Sequence, residues 1–146
     1  MAMTAALIMS GSVAQAQDVN IGRSNITLTS DLMTPETLWA MGRIGAAQAS
    51  PDGKKIVYQV GYYSVKENKG HQVLRVMDAD GKNDRLLTTS AKSEGDAAWL
   101  DNNTLAFLTG GQLWTMNADG TNRKQLTHSD IDIEGFRFSP DRKRVV

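Results

Sequence analysis

Hydroxyl-based covalent catalysis needs a nucleophile, a neighbouring base and a third group that orients the base. The chain supplies bases sparingly: His71 and His128 are its only histidines, and it has no cysteine. Serines are plentiful, but no Gly-x-Ser-x-Gly elbow occurs in the 146 residues. Both histidines fall beside expected turns or strand starts, so surface histidine is the reading for each. Separated by 57 residues, they also make a poor metal pair. The segment "DADGKND" from Asp78 invites a calcium reading, because Asp78 and Asp80 alternate as the ligands of an EF-hand loop do. That loop needs glycine at its sixth position, whereas here glycine is fourth and lysine fifth. A sister segment places Asn117, Asp119 and Arg123 at the matching positions, so a repeated site would have lost charge and gained a cation. A hairpin turn is the reading for both segments.

Glu94 stands ahead of an expected strand, where a loop could face a central channel, but nothing around it assigns a role. Trp99, Trp114, Phe136 and Phe138 could line a ligand surface; packing between structural units is the preferred reading. The terminal "DRKRVV" reads as a solvated strand edge. Asn25 and Asn102 begin Asn-x-Thr patterns that fit glycosylation and also arise by chance. No residue is assigned as catalytic, substrate-binding or metal-binding, and no cofactor is expected.

The elements that must position these residues follow from a repeat. "VMDADGKNDRLLT" from Val76 returns as "TMNADGTNRKQLT" from Thr115, 39 residues later. Around it, "SPDGKKIVY", "WLDNNTLAF" and "FSPDRKRVV" align on Asp52, Asp101 and Asp141. Each unit reads as four short strands, with β-branched and aromatic residues between Gly, Asp and Asn turns. Pro-Asp-Gly and Ala-Asp-Gly supply the fixed φ and the positive φ that tight turns need. The first unit is ten residues longer than the second, and the extra length is placed in a polar loop, "GYYSVKENKGHQ". Four-stranded units of about 40 residues cannot bury both faces alone, so the fold class expected is all-β, a partial β-propeller. Two blades, about Ile44–Thr89 and Gly95–Thr127, are complete. A third starts near Ile133 and stops at Val146, so the chain reads as a fragment. "TPETLWAMGRI" reads as a short helix on the propeller rim, capped by Thr34, with Pro35 and Glu36 in its first turn and Leu38, Met41 and Trp39 on its apolar side.

Formal charge is zero, with 16 basic and 16 acidic residues interspersed, which gives no electrostatic reason to expect nucleic acid or an anionic membrane. Residues 1–16 contain an apolar run from Ala2 to Met9 that passes into small residues, and Ala14-Gln15-Ala16 has the form of a signal-peptidase site, although the basic start of such leaders is missing. The run is too short to span a bilayer, and nothing later is apolar enough. The expected organisation is a signal peptide at 1–16, an extension with the short helix at 17–43, and propeller blades at 44–146. The expected location is periplasmic or secreted.

From about Asp31 onward, the order "LMTPETLWAMGRIG…ASPDGKKIVY…VMDADG…LLT" resembles the start of serine peptidases of the prolyl oligopeptidase family, in their dipeptidyl peptidase and acylaminoacyl-peptidase branch. The resemblance implies an N-terminal propeller followed by an α/β-hydrolase domain with a Ser-Asp-His triad. It implies short peptide substrates, acylation of serine and release to water, with the propeller gating access. Some dipeptidyl peptidases hold the substrate amine on an acidic propeller residue, but no motif match puts Glu94 in that role. The catalytic half is absent from these residues, so the chain itself is expected to be non-catalytic, with peptide as the partner of the missing domain. The alternative is a non-enzymatic periplasmic propeller of the Tol type that binds a protein partner.

Overall fold

The computed structural model describes residues 21–23, 26–27 and 31–146. The expected leader at 1–16, and Asn25, lie outside them. The described residues form one short helix and two four-stranded antiparallel sheets, neither of which closes into a barrel.

The helix α1 (Pro35–Ala40) begins where Thr34 accepts a hydrogen bond from the Thr37 amide at 3.2 Å, with proline in the first turn where no amide partner is lost. It ends at Met41, whose backbone is extended. None of its residues is buried: Leu38, Trp39 and Met41 stay 41–48 % exposed. Trp39 alone makes ring contacts, packing on Tyr63 at 4.9 Å with the Arg43 guanidinium over its face at 4.8 Å.

The first sheet runs β1 (Arg43–Ala49), β2 (Lys55–Ser64), β3 (Lys69–Asp78), β4 (Arg85–Leu86) in spatial as in chain order. The second runs β5 (Glu94–Trp99), β6 (Thr104–Thr109), β7 (Gln112–Asn117), β8 (Lys124–Gln125). Both are meanders, and the first strands β1 and β5 lie against one another. Repeated sequence gives repeated backbone. Gly81 and Gly120 stand at φ 83° and 84°, and Asn83 and Asn122 both at 54°, left-handed conformations that Gly and Asn reach at least cost.

The ten extra residues of the first unit are not a loop. They lengthen β2 and β3 by four residues each over β6 and β7, and they widen the connecting turn from Gly110-Gly111 to four residues. The pairing from Lys55↔Asp78 to Ser64↔Lys69 is unbroken. Polar composition suggested a loop, but a ribbon that carries Tyr62, Tyr63 and His71 needs only cross-strand partners, and Tyr62 lies opposite His71.

Alternation along the strands places the core. Val57, Leu74, Val76 and Leu87 from the first sheet join Trp99, Leu105, Phe107, Met116 and Ala118 in one cluster between the sheets. The other face of the second sheet buries Ala106, Leu108 and Leu113 under Ile133, Phe136 and Phe138 of the segment that follows. That segment makes an isolated bridge, Phe138↔Val145, around a turn in which Ser139 bonds Asp141 as Ser50 bonds Asp52.

Candidate functional site

Two places gather functional side chains: the seam between the sheets, and the inner edge formed by their first strands. At the seam, Glu94 opens β5 and is 0 % exposed. Its Oε1 accepts from Arg123 Nη2 and from the Ser90 hydroxyl at 3.4 Å, while Oε2 is buried without a protein partner. Arg123 lies over the Phe107 ring at 4.9 Å and donates through Nη1 to the Leu87 carbonyl at 3.4 Å. One cation therefore ties the start of β5 to the end of the first sheet. The channel-facing role considered for Glu94 does not fit a fully buried carboxylate. Its partner, 29 residues away, gave no local signal.

The exposed acid is two residues on. Both first strands carry a bulge, between Ile44 and Ala47 in β1 and between Gly95 and Ala98 in β5. The second bulge holds Asp96 at φ 49°, and its amide donates to Gln59 Oε1 at 3.3 Å. A non-glycine residue in this conformation is uncommon and marks a position that the surroundings over-determine. Asp96, Gln48, Glu134 and Arg137 line an open cleft of about 590 Å³ along the inner edge, floored by Ala98 and Phe136. Two carboxylates and one guanidinium facing a cleft can hold a zwitterion or a chain end. Sequence reasoning missed Asp96, and the Gly95-Asp96 pair inside a strand was the available sign of a bulge.

The other expected residues fall as follows. His128 is exposed, as read. His71 is not a surface histidine: it is 5 % exposed, with Nδ1 2.7 Å from the Ile21 carbonyl and Nε2 3.3 Å from the Lys92 carbonyl. It pins residues 21–23 onto the long hairpin. We expect His71→Ala to speed tryptic cleavage after Arg23 about tenfold by freeing that segment. Unchanged cleavage would show that the segment is held by other contacts. Asp78 and Asp80 close their turn: Asp78 accepts from Asn83 Nδ2 at 2.6 Å, and Asp80 accepts from the Lys82 amide at 3.0 Å. The hairpin reading stands. Trp99 is 3 % exposed, with its indole donating to the Gln48 carbonyl at 3.1 Å, and Trp114 packs beside the same cluster. Phe136 and Phe138 meet edge-to-face at 5.6 Å. Trp99, Trp114 and Phe138 are packing residues, and Phe136 both packs on the second sheet and floors the cleft. Asn102 accepts from the Asp52 amide at 3.0 Å, and the terminal "DRKRVV" is exposed throughout. Among the described residues, no group of three His, Asp or Glu side chains is placed to hold a metal ion, and no helix is long and apolar enough to cross a membrane.

A third polar cluster lies on the far face of the first sheet. Asp84 Oδ1 accepts from Tyr58 at 2.8 Å and from Arg75 Nε at 3.1 Å, and Oδ2 accepts from Arg75 Nη2 at 2.6 Å. The Arg75 guanidinium holds the Asp84 carboxyl below its ordinary 3.8. At Asp101, the Asn103 amide and the Thr104 hydroxyl and amide do the same. Burial, and then Asp84, push the Tyr58 phenol up. A carboxylate depressed in the folded state contributes stability that is complete above the unfolded value. That contribution is lost as pH falls through the folded value. Stability is therefore expected to be level from neutrality down to about pH 5 and to fall below about pH 4. Asp84→Asn should flatten that fall, as read by urea unfolding at stepped pH; an unchanged acid limb would contradict the role given to the Arg75–Asp84 pair.

The chain is 35% identical over 125 residues to Dipeptidyl-peptidase 5 of Porphyromonas endodontalis. It is 37% identical over 125 residues to Dipeptidyl-peptidase 5 of Porphyromonas gingivalis. Each match takes in 82% of this chain and 18% of the relative, so the chain spans less than a fifth of the length of the curated relatives it matches. No family model matches it.

Proposed function

We propose that this chain, a relative of the dipeptidyl peptidases and comparable to a fragment of their length, is the N-terminal propeller portion of an exported serine peptidase. The observation that carries this reading is the 35–37% identity over 82% of the chain, since it covers most of the repeat. The geometry supports it in two ways. The sheets stack face to face with their first strands together, the arrangement of consecutive propeller blades. The inner cleft with Asp96, Glu134 and Arg137 would then line the route to a hydrolase domain.

In this role the chain breaks no bond. It narrows access so that short or flexible peptides pass and folded proteins do not, and its inner charges orient chain ends on the way. The serine, histidine and aspartate that attack the peptide and carry its protons would belong to the α/β-hydrolase domain. Export through a leader at 1–16 belongs to the same proposal.

Sequencing the locus on both sides of this reading frame tests it. The expected result is a frame that continues through further four-stranded repeats into a Gly-x-Ser-x-Gly elbow with later Asp and His. Repeats that end without an elbow would replace the peptidase with a binding propeller of the Tol type.

A further inference from the structure

Of the two histidines, only His71 is buried, and both of its ring nitrogens face main-chain carbonyls. It sits in β3, 5 % exposed, with Nδ1 2.7 Å from Ile21 O and Nε2 3.3 Å from Lys92 O. A carbonyl accepts and never donates, so neither partner can adapt to the ring by turning a proton towards it. The neutral imidazole carries one N–H and satisfies one carbonyl. Only the charged ring, with a proton on each nitrogen, satisfies both. Burial opposes that charge, and the two acceptors support it.

The two carbonyls differ in what else can serve them. Among the described residues, nothing but His71 donates to the Ile21 carbonyl. The Lys92 carbonyl has a second donor, the Ser90 hydroxyl at 3.2 Å. That hydroxyl also lies 3.4 Å from Glu94 Oε1 and has one proton for the two oxygens. When the ring loses a proton, the one that remains serves Ile21 through Nδ1. Nε2 then turns a lone pair on the Lys92 carbonyl, which takes the Ser90 proton instead, and Glu94 gives up its neutral donor. One proton at His71 thus reaches, through Lys92 and Ser90, the buried carboxylate that opens β5.

The charges carried by the neighbouring elements are engaged elsewhere. On the segment at 21–23, Arg23 lines a cleft with Glu36 and Glu67. On the connection between the sheets, Lys92 Nζ lies 3.5 Å from where a Cβ at Gly110 would stand. The Glu94 carboxylate is held by Arg123. Opposite His71 in β2 stands Tyr62, whose ring lies against Gly42. Lys69, two residues before His71 in β3, is exposed. Among the described residues, no carboxylate bonds the imidazole.

We infer that His71 is a proton-operated clasp on the connection between the two sheets: the charged ring holds residues 90–92 against β3, and the neutral ring weakens that hold. The segment at 21–23 is held in both states, and the sheets stay folded in both. The clasp does not depend on the peptidase reading. Its consequence lies at the inner edge, because the connection runs directly into β5, which carries Glu94 and the bulge at Asp96. The clasped form binds the extra proton, so its hold is complete below the ordinary histidine range, about pH 6.5, and is lost as pH rises through that range.

The test follows tryptic cleavage after Lys92 in the whole polypeptide that carries this chain, from about pH 5.5 to about pH 8.5. Cleavage after Lys82, in an outer turn, is the internal reference for the activity of trypsin itself. The ratio of Lys92 to Lys82 cleavage should rise about tenfold over that span, while the ratio of Arg23 to Lys82 stays level. His71→Gln, which cannot titrate, should make the first ratio level as well. A level Lys92 ratio in the parent would overturn the clasp. A rise at Arg23 in its place would put the retained proton on Nε2 and overturn it too. Should the glutamine variant not fold, deuterium exchange at the His71 Cε1 of the parent reads the charge of the ring directly. Its midpoint should coincide with that of the Lys92 rise, and midpoints more than about one pH unit apart would overturn the inference.

Discussion

Arg123→Leu should destabilise the chain by about 3–5 kcal/mol, because it strands a fully buried carboxylate. Glu94 is 0 % exposed and already has one oxygen without a protein partner, so removing its only cation leaves Ser90 as a weak neutral donor. In the first sheet an isoleucine, Ile44, stands exposed at the register of Glu94. The double variant Glu94→Ile with Arg123→Leu is therefore expected to recover to within about 1 kcal/mol of the parent, since a buried pair replaced by apolar residues of similar volume is often neutral. Urea unfolding of the two single variants and the double would give the coupling. A single variant costing under about 1 kcal/mol, or a double costing the sum of the singles, would refute the account of the seam.

Phe107→Ala should cost about 3–5 kcal/mol, from lost transfer energy and the cavity left between two sheets that cannot collapse onto it. Phe107 is 0 % exposed at the centre of the inter-sheet cluster and is the platform beneath Arg123. Domains of this size hold about 5–15 kcal/mol in all, so the variant should lie near its unfolding midpoint at modest urea. Phe107→Leu keeps most of the apolar volume and should cost about 1–2 kcal/mol. If the alanine variant were no worse than the leucine, the ring would not be the keystone of the seam.

The repeat was legible because its turns are chemically specified. Ala-Asp-Gly demands a positive φ at Gly81 and Gly120, and the two copies return the same backbone. The helix start was legible for a similar reason, since Thr34 and Pro35 act within one turn of their own position. Contacts between residues far apart in the chain were not. Glu94 meets Arg123 through tertiary packing, and His71 meets Ile21 from 50 residues away, so neither neighbour shows in a local window. The long hairpin was misread because polar residues dominate its tip. The cross-strand pairing that makes it a ribbon is invisible to composition. Asp96 was missed because a bulge shifts strand alternation by one residue, and an acid in a strand pattern then looks like an ordinary solvent-facing position.

The most direct measurement is hydrolysis of a dipeptidyl reporter with a free amino terminus, by this chain alone and by the whole polypeptide that carries it. The account predicts no hydrolysis by the chain. For the whole polypeptide it predicts steady release, abolished when the elbow serine is replaced by alanine. Hydrolysis by the chain alone, or a folded whole polypeptide that releases nothing from any such reporter, would contradict the reading of this chain as the gate of a serine peptidase.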